Sequence, residues 1–170
     1  MVNSYTIKQY LEIVQTTANG VILSLLNNSL YKGYKKNWVL LNKNTKGVKN
    51  IIAMSPHEDS LGYVVSKNRM IKLKLLEKGE LIPLHLLYYI LAHELAHMAR
   101  KEIGHDGNFN VLLSIILFDL YRKNAIKIES YSVSHFGDKL VCGIREISWH
   151  LKKAEKALSE TRENAKFEEF

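Results

Sequence analysis

The sequence predicts an α+β protein. Apolar side chains recur at helical spacing over residues 5–26, again from Pro83 to about Arg100, and again from Phe109 to Tyr121. Between the first and second of these stretches lie short apolar segments with the length and flanks of strands. The strand-like segments therefore fall together, with helices on either side of them in the chain.

The first helix is marked by Ile7, Leu11, Val14, Ala18, Ile22, Leu25 and Leu26, with Asn27, Asn28 and Ser29 to end it. Gly20 is a weak spot within it. Next comes YKGYKKNW, residues 31–38, in which Tyr31, Tyr34 and Trp38 are interleaved with Lys32, Lys35 and Lys36. Trp38–Leu41 and Asn50–Met54 read as strands bounded by polar loops. Leu61–Val65 and Ile71–Leu75 read as a hairpin turning at Ser66–Arg69. In the last of these, Ile71, Leu73 and Leu75 alternate with Lys72 and Lys74, a pattern that suits a sheet edge.

Pro83 stands where a first helical turn tolerates it. In the helix that follows, Leu84, Leu87, Leu91, Leu95 and Met98 form an apolar stripe. Asp106 is placed to cap a further helix. Its apolar series Phe109, Leu112, Leu113, Ile116, Leu117, Leu120 and Tyr121 is the clearest amphipathic signal in the chain. Residues 124–147 are mixed, with Ile126–Ile128, Tyr131–Val133 and Leu140–Ile144 as short strands or irregular segments. Residues 148–163 read as a polar helix, and ENAKFEEF as a frayed end, so that 148–170 form a polar C-terminal helix and tail. No repeat or linker divides the chain, and its 170 residues suit a single domain over 1–170.

No run of eighteen apolar residues is present, so no membrane span is expected. The N-terminal stretch lacks the pattern of a secretory signal, and the single Cys142 fits a reducing compartment. Together these predict an intracellular protein, of nucleus or cytoplasm, and a monomer. The net charge is +7, with twelve Lys/Arg against five Asp/Glu in residues 1–80 and equal numbers thereafter. A basic region confined to one part of the chain points to an anionic partner, nucleic acid first, against the plainer reading of a solvated lysine face.

The stretch LAHELAHMARKEIGHDGNF carries the chemistry. His93 and His97 stand at i and i+4, so on a helix both imidazoles reach one ion. Glu94 adjoins the first of them and can serve as general base without being a ligand. A catalytic zinc needs a third protein ligand and an open position, and His105 is the natural candidate. Gly104 lets the backbone turn out of the helix to bring that imidazole back. The plainer reading is a satisfied pair of core histidines. A buried helix holding two histidines and a glutamate is costly, however, unless they pair or bind a metal. With one cysteine and seven histidines, any metal site in the chain is histidine-based.

HELAHM followed by GHDGNF resembles the WLM-domain metallopeptidases, relatives of the SprT-like and Spartan proteases, whose signature is HELxHxxxGxHDxxF. LGYVVSKNRMIKLKL is similar to that family's Leu-Gly start, turn and I-x-L-R-L-R strand. The likeness covers residues 60–120. The stretch MARKEIG between His97 and His105 is longer than the WLM pattern and leans toward SprT-like spacing. Residues 1–170 hold no segment that resembles the long tail in which fungal members carry partner-binding motifs, so those members' partners are not expected from this sequence. The resemblance implies a zincin-like metallopeptidase domain in which His93, His97 and His105 bind Zn2+ and Glu94 is the base. It also implies hydrolysis of protein substrates, in the best-known members proteins crosslinked to DNA. Asp106 and Phe109 match the HD-x-x-F tail and read as structural.

Three functional expectations follow from these residues. The first is a zinc protease of DNA-bound proteins, with the lysines and exposed aromatics of Tyr31–Trp38 contacting single-stranded or damaged DNA. The second is a narrow regulatory metalloprotease acting on one partner. The third is a non-enzymatic DNA-binding module that uses zinc structurally, which the open fourth position disfavours. The strand Ile71–Leu75, read as an edge, is expected to pair with substrate backbone. His135, Tyr88, Tyr89 and Tyr131 are possible electrophiles, with none assigned.

Overall fold

In the computed structural model, which describes residues 3–45, 48–55, 57–65, 69–101, 104–128 and 145–168, the chain is an α+β protein. Asn3 starts the first helix, its side chain accepting a hydrogen bond from the Thr6 amide at 2.9 Å. This helix, α1, spans Ser4–Asn27 and buries Val14, Ala18, Val21, Ile22 and Leu25, one face of a helical repeat. A 3-10 turn over Ser29–Tyr34 leads into α2, Lys35–Thr45.

Helix α2 overturns the strand expected at Trp38–Leu41. A run of four apolar residues has no period of its own, and packing decides its state. Here Trp38, Leu41, Asn44 and Thr45 share the buried face, while Val39 lies outside it. Tyr31 and Trp38 are core residues, so the exposed stacking platform expected of Tyr31–Trp38 is not formed by them. The Trp38 indole donates to the Tyr31 carbonyl at 3.0 Å, and the Tyr31 hydroxyl donates to Asp119 at 2.7 Å. Both polar tips are thus satisfied inside the fold.

The sheet is small and mixed, in the order β1-β3-β2, with β1 at Ile51–Ala53, β2 at Gly62–Val65 and β3 at Met70–Leu73. β3 pairs parallel with β1 and antiparallel with β2, the hairpin expected from the sequence. Most of that hairpin's turn, residues 66–68, lies outside the described residues. β3 is therefore the central strand, which corrects its reading as an edge. The lysine alternation has another cause. The Lys74 stem is buried and its ammonium donates to the Glu58 carbonyl at 2.8 Å, while Lys72 lies over the Tyr63 ring. A short hairpin, β4 at Leu76–Glu77 and β5 at Glu80–Leu81, then delivers the chain to Pro83.

Helix α3 spans Leu84–Met98 and α4 spans Gly107–Arg122. The last helix, α5, is longer than expected, running Ile147–Glu168, so its backbone stays helical through most of ENAKFEEF. Ile126–Ile128 is a bend and turn rather than a strand, while Tyr131–Val133 and Leu140–Ile144 lie outside the described residues. α3 packs on β2 and β3 and on α4, and α4 packs in turn on α1 and α5. The buried residues of these elements form one hydrophobic cluster. At Gly62 the sheet touches α3 so closely that a Cβ would sit 2.8 Å from Ile90 Cγ2. Among the described residues, no helix is long and apolar enough to cross a membrane.

Candidate metal centre

Helix α3 is buried along nearly its whole length, so its polar side chains are held by the surrounding core. His93 and His97, one turn apart, bring their rings to 5.0 Å between centroids. The helix stops at Ala99, the chain turns, and Gly104 adopts φ +131°, a conformation that an L side chain rarely takes. This turn swings His105 back over the end of α3, as its sequence position predicts. Its Nε2 lies 2.8 Å from Nε2 of His97.

Two interactions fix the turn. The Arg100 guanidinium is buried and donates to the Gly104 carbonyl at 3.3 Å and to the Asp106 carboxylate at 3.0 Å. Asp106 also caps α4, accepting from the Phe109 amide at 3.1 Å. These contacts hold its carboxyl below the usual range, the Phe109 amide first and Arg100 after it. The capped helix then places the Phe109 ring beneath all three imidazoles, with centroids at 5.0 Å from His93, 4.6 Å from His97 and 4.7 Å from His105. Asp106 and Phe109 were expected to be structural, and they have these structural contacts. The part of Arg100 carries no signal in the sequence beyond a cation near the end of a helix.

Ring nitrogens of His93, His97 and His105 all lie within 4.8 Å of one another. Nitrogens held about 2.1 Å from a tetrahedral zinc stand about 3.4 Å apart. The upper limit on the spacing of the three imidazoles accommodates that value, so the donors lie close enough together to share one such ion. Their protonation suits it as well. Burial first, then the neighbouring imidazoles, lowers the His93 pKa to about 3. Burial, His105 and Arg100 lower that of His97 to about 4. Burial and Arg100 also lower the His105 pKa. All three rings therefore favour the neutral form at pH 7, the form in which an imidazole can bind a metal.

Glu94 is 4% exposed on the same helix, and burial pushes its carboxyl up to about 8. A cation held by the adjacent imidazoles would favour its carboxylate form.

The other expected participants make contacts with α1 or α5, or lie outside the described residues. Tyr88 shares a hydrogen bond with Thr17 of α1 at 3.0 Å, and Tyr89 packs against His150 of α5. His135 and Tyr131 are among the residues not described. Lys32, Lys35 and Lys36 are exposed. Compared with protein-family models, with curated proteins and with solved structures, the chain matches none.

Proposed function

We propose that this chain is a zinc-dependent peptidase with a zincin-like active site. The observation that carries the reading is the convergence of His93, His97 and His105 on one point, with Glu94 beside them and not among them. A structural zinc is usually closed by four protein ligands, often cysteines. Among the described residues, this cluster contains three histidines and no fourth protein ligand.

His93, His97 and His105 would hold the ion, which supplies Lewis acidity toward a carbonyl and toward water. Glu94 accepts a proton from the attacking water as the scissile carbonyl is attacked, then delivers it to the leaving nitrogen. A carboxyl whose apolar surroundings favour the protonated form is suited to that second role. The neutral imidazoles stay deprotonated throughout, because the burial that lowers their pKa also disfavours their cationic forms.

The substrate class follows less directly. An extended substrate backbone would pair with an outer strand, and the correction to the sheet moves that role from β3 to β2, which is at the end of the order. A DNA-directed version of the activity draws on the exposed Lys32 and Lys36, since Lys35 is engaged by the Leu26 carbonyl, and goes without the stacking expected of Tyr31 and Trp38. It requires binding of single-stranded DNA that weakens steeply with salt.

The test combines metal content and hydrolysis. Purified protein should carry about one zinc, and His105→Ala should lose most of it. Glu94→Gln should keep the zinc and the fold, and should cleave an unfolded protein substrate on the order of 10²-fold more slowly or worse. Undiminished cleavage by Glu94→Gln would remove the peptidase reading. Full zinc occupancy in His105→Ala would remove the third ligand.

A further inference from the structure

A cleft of about 710 Å³ runs between α2, the end of α3 and the start of α4. Its wall reaches Ala99, two residues after His97, and Asn108, one residue before the Phe109 ring that supports all three imidazoles. The cleft is thus lined by the segments that flank the histidine cluster in sequence, although none of the three histidines lines it. It has two kinds of surface. Val39, Leu40 and Leu112 supply apolar lining, and Val39 is 49% exposed. Lys36, Lys43 and Lys101 line the same cleft and are exposed.

These three lysines are the cations available to a ligand. None of them is paired with an acidic side chain among the described residues, and no acidic residue lines the cleft among those described. The other two lining cations are engaged. Arg100 holds Asp106 and the Gly104 carbonyl, and Lys35 donates to the Leu26 carbonyl at the end of α1.

We propose that this cleft binds an acidic, partly apolar peptide segment, and that such segments mark the proteins presented to the metal centre. The proposal rests on the peptidase reading for the word substrate, and on the cleft alone for the binding. Three ammonium groups without an acidic partner among the described residues favour carboxylates, and the exposed Val39 beside the half-buried Leu40 favours the side chains between them. A polypeptide alternating Asp or Glu with Leu or Val satisfies both surfaces. A nucleic-acid strand satisfies only the first. Its bases seek aromatic faces, and the cleft's aromatic residue, Tyr34, is half-buried against Trp38 at 6.4 Å between centroids.

Binding is measured on the full chain with its metal chelated, so no cleavage interferes. The probe is a fluorescent peptide alternating Glu and Leu, compared with the same peptide carrying Gln for Glu and with a single-stranded oligonucleotide. The acidic peptide should bind roughly tenfold or more tightly than its Gln counterpart, and its affinity should fall as salt rises. The triple variant K36E/K43E/K101E should weaken acidic-peptide binding roughly tenfold or more. V39S should weaken it with the salt dependence unchanged, because only apolar contact is lost. Exposed positions are substituted, and the circular dichroism of each variant checks the fold. Equal binding of the Gln peptide, or unchanged binding by the triple variant, overturns the proposal. Tighter binding of the oligonucleotide that displaces the acidic peptide assigns the cleft to nucleic acid instead and overturns it as well. Loss of peptide binding while the zinc-loaded wild-type chain still hydrolyses protein removes only the cleft assignment. Specific peptide binding with no hydrolysis leaves the cleft standing and removes only the peptidase reading.

Discussion

At the scale of single residues, two local features bring the three histidines of the candidate site together. His93, Glu94 and His97 follow from helical geometry, since i and i+4 project together whatever the surrounding fold. His105 was legible from Gly104, whose φ of +131° is the turn that returns the third imidazole. The support beneath the site was not legible. Phe109 matched the HD-x-x-F tail and read as structural, but its place in an apolar stripe did not show that its ring would touch all three histidines. Contacts between side chains on different elements depend on how those elements are set together, which periodicity does not report. The Phe109 contact yields a prediction. Phe109→Leu keeps an apolar side chain at a position 1% exposed, and should cost roughly 1.5 kcal/mol or less of stability. The three imidazoles lose their common platform, and zinc affinity should fall about tenfold, as for other supports of metal ligands. Chelator competition and thermal unfolding read the two effects separately. A fall in Tm with zinc affinity unchanged would show that the ring only fills the core.

At the scale of elements, sequence and structure part where two states share one pattern. Trp38–Leu41 is apolar throughout, and the helix forms because Trp38 and Leu41 can share a buried face. The lysines of β3 looked like the guard of a sheet edge, yet the strand is central. A lysine can cross apolar surface with its stem and satisfy its ammonium beyond it, as Lys74 does on the Glu58 carbonyl. The alternation was correct and the position inferred from it was not. The contact between sheet and metal helix makes the element-scale prediction. At Gly62 an added Cβ would meet Ile90 Cγ2 at 2.8 Å and Leu73 Cδ2 at 3.3 Å. Ile90 lies three residues before His93 on α3, so the helix that holds the ligands bears one side of that contact. Gly62→Ala should destabilise the chain by about 1–3 kcal/mol through overpacking. Pairing it with Ile90→Leu, which removes the Cγ2 branch that the new Cβ would meet, should recover part of that loss. A double variant no more stable than Gly62→Ala would place the strain elsewhere in β2.

At the scale of the whole molecule, burial of titratable groups couples folding to pH. Besides the three clustered histidines, His150 of α5 is buried against α4, where its Nδ1 hydrogen-bonds Ser114 Oγ at 2.7 Å. Burial, with Arg145 and Lys153 adding to it, lowers its pKa to about 4. A histidine with a depressed folded pKa is neutral in the fold, and the unfolded chain takes up protons below its ordinary value of 6.5. Its stabilising effect is complete above that value and is lost as pH falls toward 4, a loss on the order of 3 kcal/mol for His150. His93, His97 and His105 act in the same direction. Glu94 acts oppositely. Its raised carboxyl pKa means that the fold holds a proton the unfolded chain releases above 4.5, so its contribution is full below that value and is lost as pH rises through about 8. For the metal-free chain these opposed contributions predict a stability maximum near pH 6.5. The acid limb should be steep because four histidines share it, and the alkaline limb shallow because, among the described residues, Glu94 supplies it without such company. Zinc should flatten the alkaline limb, since a nearby cation favours the carboxylate and removes the reason for the proton to stay. Denaturant unfolding from pH 4 to 9, with zinc and with chelator, reads both limbs. His150→Gln should shorten the acid limb in both conditions, because His150 lies outside the metal cluster. If zinc leaves the alkaline limb unchanged, Glu94 does not sense the ion, and its assignment as the base beside the metal is wrong.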